Sequence, residues 1–343
     1  MGFTENKKNQ IKRYMLEKIG EGSKDVAKKA VEAFGVSYNT VYRYLRELQA
    51  DQIIRKNGNK NYVMIEKTNY VSLKRSKEEL VDEDIIYDKY IHRYIESLPD
   101  NVRMIWEYSF MEMMNNAIDH SQAEHVQFLM IQNYTDTSII LTDDGVGIFR
   151  KIKDFYDYHS LDDAVNELFK GKLTTDRKNH SGEGIFFTSR MLDFFGVFSD
   201  GKIFTHDKYS ELIRDLQDIA PLKKWKDDAG TTIYMKLSND SKRLVKEVFD
   251  MFSDVDGGFT RTRIPLKYVY ETYPVSRSQA KRLCNGFERF REIELDFSEV
   301  EEIGQGFAHQ IFCVFQNEHP EIKLLPLNTS EEVKKMIHHV KNG

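Results

Sequence analysis

Four stretches decide how this chain is read: Phe110–Ser121 (FMEMMNNAIDHS), Leu141–Ile148 (LTDDGVGI), His180–Met191 (HSGEGIFFTSRM) and Gly230–Leu237 (GTTIYMKL). In the first, Glu112, Asn116 and His120 recur every four residues and share one stripe of a helix. Met111, Met114, Ala117 and Ile118 supply its packing face. A carboxylate there can take a proton from an attacking water. An Asn oxygen is a hard ligand suited to Mg²⁺, which keeps few protein ligands beside phosphate oxygens. An amphipathic helix with a wet edge has the same spacing.

The second stretch ends an apolar strand in Asp-x-Gly-x-Gly. Asp143 at the strand tip can accept a hydrogen bond from an exocyclic amine such as that of adenine. Gly145 and Gly147 allow a tight turn and close approach of a base or ribose. Read alone, Asp-Asp-Gly is also a common turn. In the third stretch Gly182 and Gly184 precede a helical run, where free N–H groups without a Cβ nearby form an anion site. In the fourth, Gly-Thr-Thr opens a strand and brings the hydroxyl of Thr231 or Thr232 toward the strand-tip aspartate.

Outward from these motifs, 343 residues with 40% hydrophobic and 31% charged side chains fit a globular protein of two or three domains. No apolar run reaches the roughly 18 residues of a membrane span. The start, MGFTENKKNQIKRYM, lacks an apolar signal core, and Gly2 reads as part of a helix start rather than as a myristoylation site. Cys284 and Cys313 form neither a CxxC nor a metal cluster, and a reducing cytoplasm is the expected location. Net charge is −5, but residues 1–66 carry thirteen Lys and Arg against eight Asp and Glu, net +5. A basic module on an acidic body points to a local polyanion contact.

Polar or Gly-rich seams near 67–80 and 253–260 divide the chain into blocks 1–66, 80–252 and 258–343. The first block reads as three helices and a hairpin, with apolar periodicity at Ile11, Met15, Leu16 and Ile19, then Val26, Ala27, Ala30, then Val41, Tyr44, Leu45 and Leu48. Asn57-Gly58 is the hairpin signal. This order is that of a winged helix-turn-helix. It would turn Ser37, Tyr38, Asn39, Thr40, Tyr42 and Arg43 toward a DNA major groove, with Arg55, Lys56 and Lys60 of the wing on phosphate. A helical protein-interaction module with a solvated basic face is the other reading. The middle block alternates strands and helices, an α/β sandwich. The last block reads strand, helix, strand, helix, strand, helix, a small α/β domain.

Taken in order, Glu-x₃-Asn on a helix, DxGxG at a strand end, GxG at a helix start and Gly-Thr before a strand resemble the four nucleotide-binding boxes of the gyrase and histidine-kinase ATPase superfamily, the Bergerat fold. The resemblance covers residues 112–232. It implies ATP and Mg²⁺ as cofactors, with Asn116 on the metal, Asp143 on adenine, Gly182 and Gly184 at the phosphates and Glu112 as the catalytic carboxylate. It also implies an ATP lid over 149–181, with Lys172, Arg177 and Lys178 as phosphate contacts. The last block, through SRSQAKRL (276–283) and LDFSEVEEIGQGFAHQIF (295–312), resembles a STAS-like domain. Such domains elsewhere are phosphorylated on a serine at a helix start. Here Ile303-Gly304-Gln305-Gly306-Phe307 holds no serine, and Ser298 lies earlier.

The function expected is an ATP-binding, ATP-hydrolysing switch that regulates transcription through DNA, as a homodimer and with a protein partner at the STAS-like domain. Two others stand beside it: a serine or histidine protein kinase, and an ATP-sensing scaffold without catalysis.

Overall fold

The computed structural model describes residues 4–58, 61–173, 182–206, 229–254, 258–270 and 273–342. The architecture is α/β, and the chain divides into two compact units. The smaller takes in Met1–Tyr70, Leu129–Ile139 and Lys236–Ser241. The larger takes in Val71–Phe128, Ile140–Met235 and Lys242–Gly343.

In the smaller unit, helices α1 (Glu5–Gly20), α2 (Val26–Phe34) and α3 (Tyr38–Ala50) close around one core. Ile11, Met15 and Ile19 of α1, Ala30 of α2 and Val41, Tyr44 and Leu45 of α3 are buried there. Sequence chemistry sets the helix ends. Thr4 and Ser37 cap α1 and α3 by accepting from Lys7 N and Thr40 N, and Gly35 ends α2 at φ 62°. Strands β1 (Ile54–Lys56) and β2 (Tyr62–Met64) pair antiparallel with Ile54 opposite Met64. Pairing ends where Asn57 N donates to Asn61 O at 2.9 Å, so Asn57-Gly58 does not make the two-residue turn that the dipeptide favours. Two polar contacts tie this unit together: Arg13 to Asp240 at 2.7 Å, and Thr135 Oγ1 to Met64 Sδ at 3.4 Å.

A six-stranded sheet runs in the order β3 (Lys67–Lys74), β4 (His125–Gln132), β5 (Asp136–Asp143), β8 (Thr231–Ser238), β6 (Phe194–Ser199), β7 (Lys202–Thr205). The stretch taken as a seam at 67–80 therefore holds an edge strand. Its Tyr70 side chain is exposed, and only Val71 and Leu73 are buried.

In the larger unit, α4 (Glu83–Tyr87) and α5 (Arg93–Ile95) lead to α6 (Asp100–Asn115), which buries Val102, Ile105, Trp106, Phe110, Met113 and Met114. Helices α7 (Ile148–Tyr156) and α8 (Leu161–Lys170) occupy most of the stretch read as a lid. Helix α9 (Gly184–Met191) packs with α10 (Val245–Phe252) through a phenylalanine cluster. Phe187 lies 4.2 Å from Phe249 and 5.0 Å from Phe259, ring centre to centre. The C-terminal part of the unit is a three-stranded parallel sheet, β9 (Arg261–Pro265), β10 (Glu292–Asp296) and β11 (Lys323–Leu327), with β10 in the middle. Helices α11 (Arg277–Cys284), α12 (Gln305–His309) and α13 (Glu331–Asn342) accompany it.

The two parts of this unit are joined by a buried ionic knot. Lys170 Nζ pairs with Glu167 Oε1 and donates to the carbonyls of Arg282, in the last turn of α11, at 3.3 Å and of Asn285, just past its end, at 2.8 Å. Arg289 Nη2 holds the other Glu167 oxygen at 3.0 Å.

Candidate functional site

Helix α6 does not stop at Asn115. It passes into a π turn, Asn116–His120, and then into Ser121. The backbone after β5 packs straight onto this end: Val146 N donates to Ser121 O at 2.9 Å, and a Cβ on Gly145 would sit 2.1 Å from that same oxygen. Only glycine permits so close a passage. Glu112 and Asn116 thereby face the tip of β5 across one cavity of about 300 Å³.

Asp143 lines that cavity, while its neighbour Asp144 turns away and binds His125, with Oδ2 2.7 Å from Nδ1. Two backbone donors fall on Asp143 Oδ1, Gly145 N at 2.9 Å and Thr231 N at 3.3 Å. Burial dominates nonetheless and pushes the carboxyl up to about 6, against those two bonds. Of the two threonines, Thr231 lines the cavity and accepts Ile148 N at 3.1 Å; Thr232 instead meets Thr142 Oγ1 at 3.1 Å.

Gly147 holds φ 81° with the Asp200 carboxylate at the place of a Cβ, only 2.6 Å away. Gly182 (φ 72°) passes against the backbone of Leu173. Gly184 opens α9, and a Cβ on it would lie 2.0 Å from Glu112 Oε2. The Glu112 carboxylate therefore rests at a helix N-terminus, where the helix dipole favours negative charge.

Glu112, Asn116, Asp143, Gly147, Gly182, Gly184 and Thr231 thus line one space. Gly145 stands outside it, because Ser121 fills its open side. Lys172 is also absent. Its ammonium donates to Arg289 O at 3.1 Å and lies over the rings of Phe259 and Phe290, and it borders a different cavity. Lys178, like Arg177, lies outside the described residues. Sequence reasoning missed Lys151, which lines the cavity and donates to His120 O at 2.7 Å. It also missed the apolar wall of Met113, Ile152, Leu168, Phe186 and Ile233. The apolar spacing of Phe149 and Ile152 could have revealed a helix there and hence Lys151.

The surface of α3 is the other candidate. Ser37, Tyr38, Asn39, Tyr42 and Arg43 are exposed and Thr40 is half-buried. The Tyr38 and Tyr42 rings stack at 6.3 Å. Arg55 and Lys56 are exposed on β1, and Lys60 lies outside the described residues. Glu47 of α3 is engaged by Lys12 at 2.9 Å and Lys8 at 3.3 Å, which removes a bare carboxylate from this face.

In the C-terminal part, Ser298 Oγ donates to Asp296 Oδ1 at 2.7 Å, just past the end of β10. Gly304 leads into α12, and the Val275 carbonyl lies 2.3 Å from where its Cβ would be. That glycine serves a tight crossing of two chain segments.

Residues 279–334 match the family described as a STAS-like domain of unknown function (DUF4325). This is the segment that runs from α11 into α13, so the C-terminal part carries a STAS-like domain. No curated protein matches the chain. Among the described residues no helix is long and apolar enough to cross a membrane.

Proposed function

We propose that this chain is an ATP- and Mg²⁺-dependent switch of the gyrase and histidine-kinase ATPase type, which binds DNA through its N-terminal module and regulates transcription. One observation carries the reading: residues from four separate sequence motifs line a single cavity. A volume of about 300 Å³ is at the small end of ligand sites, and the apolar wall suits a purine.

The roles follow from chemistry. Asp143 takes the adenine amine, and Thr231 holds the start of α7 beside it. Gly182 and Gly184 present backbone N–H groups to phosphate. Asn116 offers one hard oxygen and Glu112 lies in the same cavity. That donor set fits Mg²⁺, which draws most of its shell from water and phosphate. The metal would supply charge neutralisation at the phosphates. Glu112 is the group placed to take a proton from the attacking water, and Lys151 adds a cation to the rim.

For the N-terminal module, the exposed face of α3 and the cations of β1 have the make-up of a groove-reading helix and its wing. A mobility-shift titration on a random duplex pool, with and without ATP and Mg²⁺, tests the switch. A nucleotide-dependent change in DNA affinity is expected in wild type and absent in Asn116→Ala. Equal shifts under all conditions would remove the coupling from this account.

A further inference from the structure

The short stretch 167–173, where α8 ends, works on two sides within the larger unit. Leu168, Gly171 and Leu173 line the candidate nucleotide cavity. Leu173 N also donates to Gly182 O at 3.0 Å, which ties this wall to one of the glycines assigned to phosphate. The residues between them, Glu167, Lys170 and Lys172, do not line the cavity and are held by the C-terminal part instead.

Arg289, inside the STAS-like match, does most of that holding. Its Nη2 donates to Glu167 Oε2 at 3.0 Å, its Nη1 to Lys172 O at 3.0 Å and its Nε to Gly286 O at 3.1 Å. Lys172 Nζ answers by donating to Arg289 O at 3.1 Å. The guanidinium lies against Gly286, at φ 78°, where a Cβ would collide with it. A planar fork engaged through all three nitrogens fixes direction as well as distance, which a lysine ammonium cannot do. Thr262 Oγ1 adds a buried bond to Lys170 O at 2.7 Å. Gly171 is wedged between the cavity wall and the C-terminal part: Phe186 and Phe259 both come within 2.9 Å of where its Cβ would be. One backbone segment thus carries both the cavity wall and the groups that Arg289 grips. The wall cannot shift against a ligand without disturbing that grip, because close-packed interiors transmit displacement.

We propose that the STAS-like part regulates the nucleotide cavity through Arg289, a positioning residue that sets where Leu168, Gly171 and Leu173 stand against the bound nucleotide. The inference rests on the ATP reading. Linkage makes the effect reciprocal: nucleotide in the cavity steadies the turn 286–290, although none of those residues lines it.

The test is calorimetry and hydrogen exchange on the full chain, with ATP and Mg²⁺, below the melting temperature of every variant. In wild type, nucleotide should slow exchange of the Arg289 and Phe290 amides, whose bonds to Gly286 O and Phe287 O close the turn. Arg289→Met should bind ATP about tenfold more weakly and lose that response. Arg289→Lys, which keeps the charge but not the fork, should regain part of the affinity. A purely structural role would speed exchange in Arg289→Met equally with and without ATP and leave the affinity of the folded chain unchanged. No ATP heat in wild type would end the ATP reading and this inference with it. ATP heat in wild type with no slowing at the turn, or with equal affinity in Arg289→Met, overturns this inference alone. If Arg289→Met does not fold, Arg289→Lys and the wild-type exchange decide the question.

Discussion

Burial lifts the Asp143 carboxyl from its usual 3.8 to about 6. The folded chain therefore holds this proton more tightly than the unfolded chain. The stabilising contribution is full below about pH 4 and is lost as pH rises through about 6. An adenine amine favours the charged form, so the sign for binding is opposite. ATP affinity should climb about tenfold between pH 5 and pH 7 as the carboxylate forms. Calorimetry against Asp143→Asn, which retains only the nucleotide's own titration, isolates this rise; parallel curves would refute it. Asp143→Asn also sheds a desolvated charge, so its melting temperature should hold or increase. At this scale the sequence was legible where geometry is local: DxGxG names Asp143, and strand alternation sends Asp144 the other way. It left Thr231 and Thr232 open, because that choice depends on the packing of β8 against the tip of β5. It did not reveal the surroundings of Lys172, whose partners Arg289, Phe259 and Phe290 are distant in sequence.

Helix α3 and strand β1 are read as one DNA-binding surface, and their residues should divide by role. Arg55→Ala and Lys56→Ala should each weaken DNA binding evenly across sequences and lower the salt slope by about 1. Asn39→Ala and Arg43→Ala should each relax base preference, at a cost of about 1–3 kcal/mol where a base edge is contacted. Fluorescence anisotropy over a salt series and a duplex library checks both, and unchanged salt slopes would mean that β1 does not touch phosphate. Elements with strong period or capping signals were readable: three N-terminal helices and the alternating C-terminal block. Two strands were not. In β3 the sequence KTNYVSLK is mostly polar, as an edge strand tolerates. In β6 the run FFGVFS is buried from Phe195 onward and shows no alternation. The π turn after α6 left no signal either, since NNAIDHS keeps ordinary helical spacing.

Across the whole molecule, the knot of Glu167, Lys170 and Arg289 joins α8 to the STAS-like part of the larger unit. Glu167 and Lys170 are three residues apart and look like a surface pair in sequence, yet their side chains are 3% and 1% exposed. Lys170→Met leaves the buried Glu167 carboxylate to Arg289 alone and takes the donor from the Asn285 and Arg282 carbonyls, so it should cost at most about 3–5 kcal/mol. Glu167→Leu combined with Lys170→Met should recover part of that loss. Thermal melting of the three proteins checks it, and additive losses would show that the pair is not coupled. No periodicity could reveal this contact, because it joins residues more than a hundred positions apart.

The central claim is that the cavity shared by α6, β5, α9 and β8 holds an adenine nucleotide. Titration calorimetry of ATP with Mg²⁺ into the full chain tests it most directly. The account predicts one saturable site in wild type, weakened about 10- to 100-fold in Asp143→Asn by loss of a charge-assisted hydrogen bond. No binding heat in wild type, or equal affinity in both proteins, would contradict it.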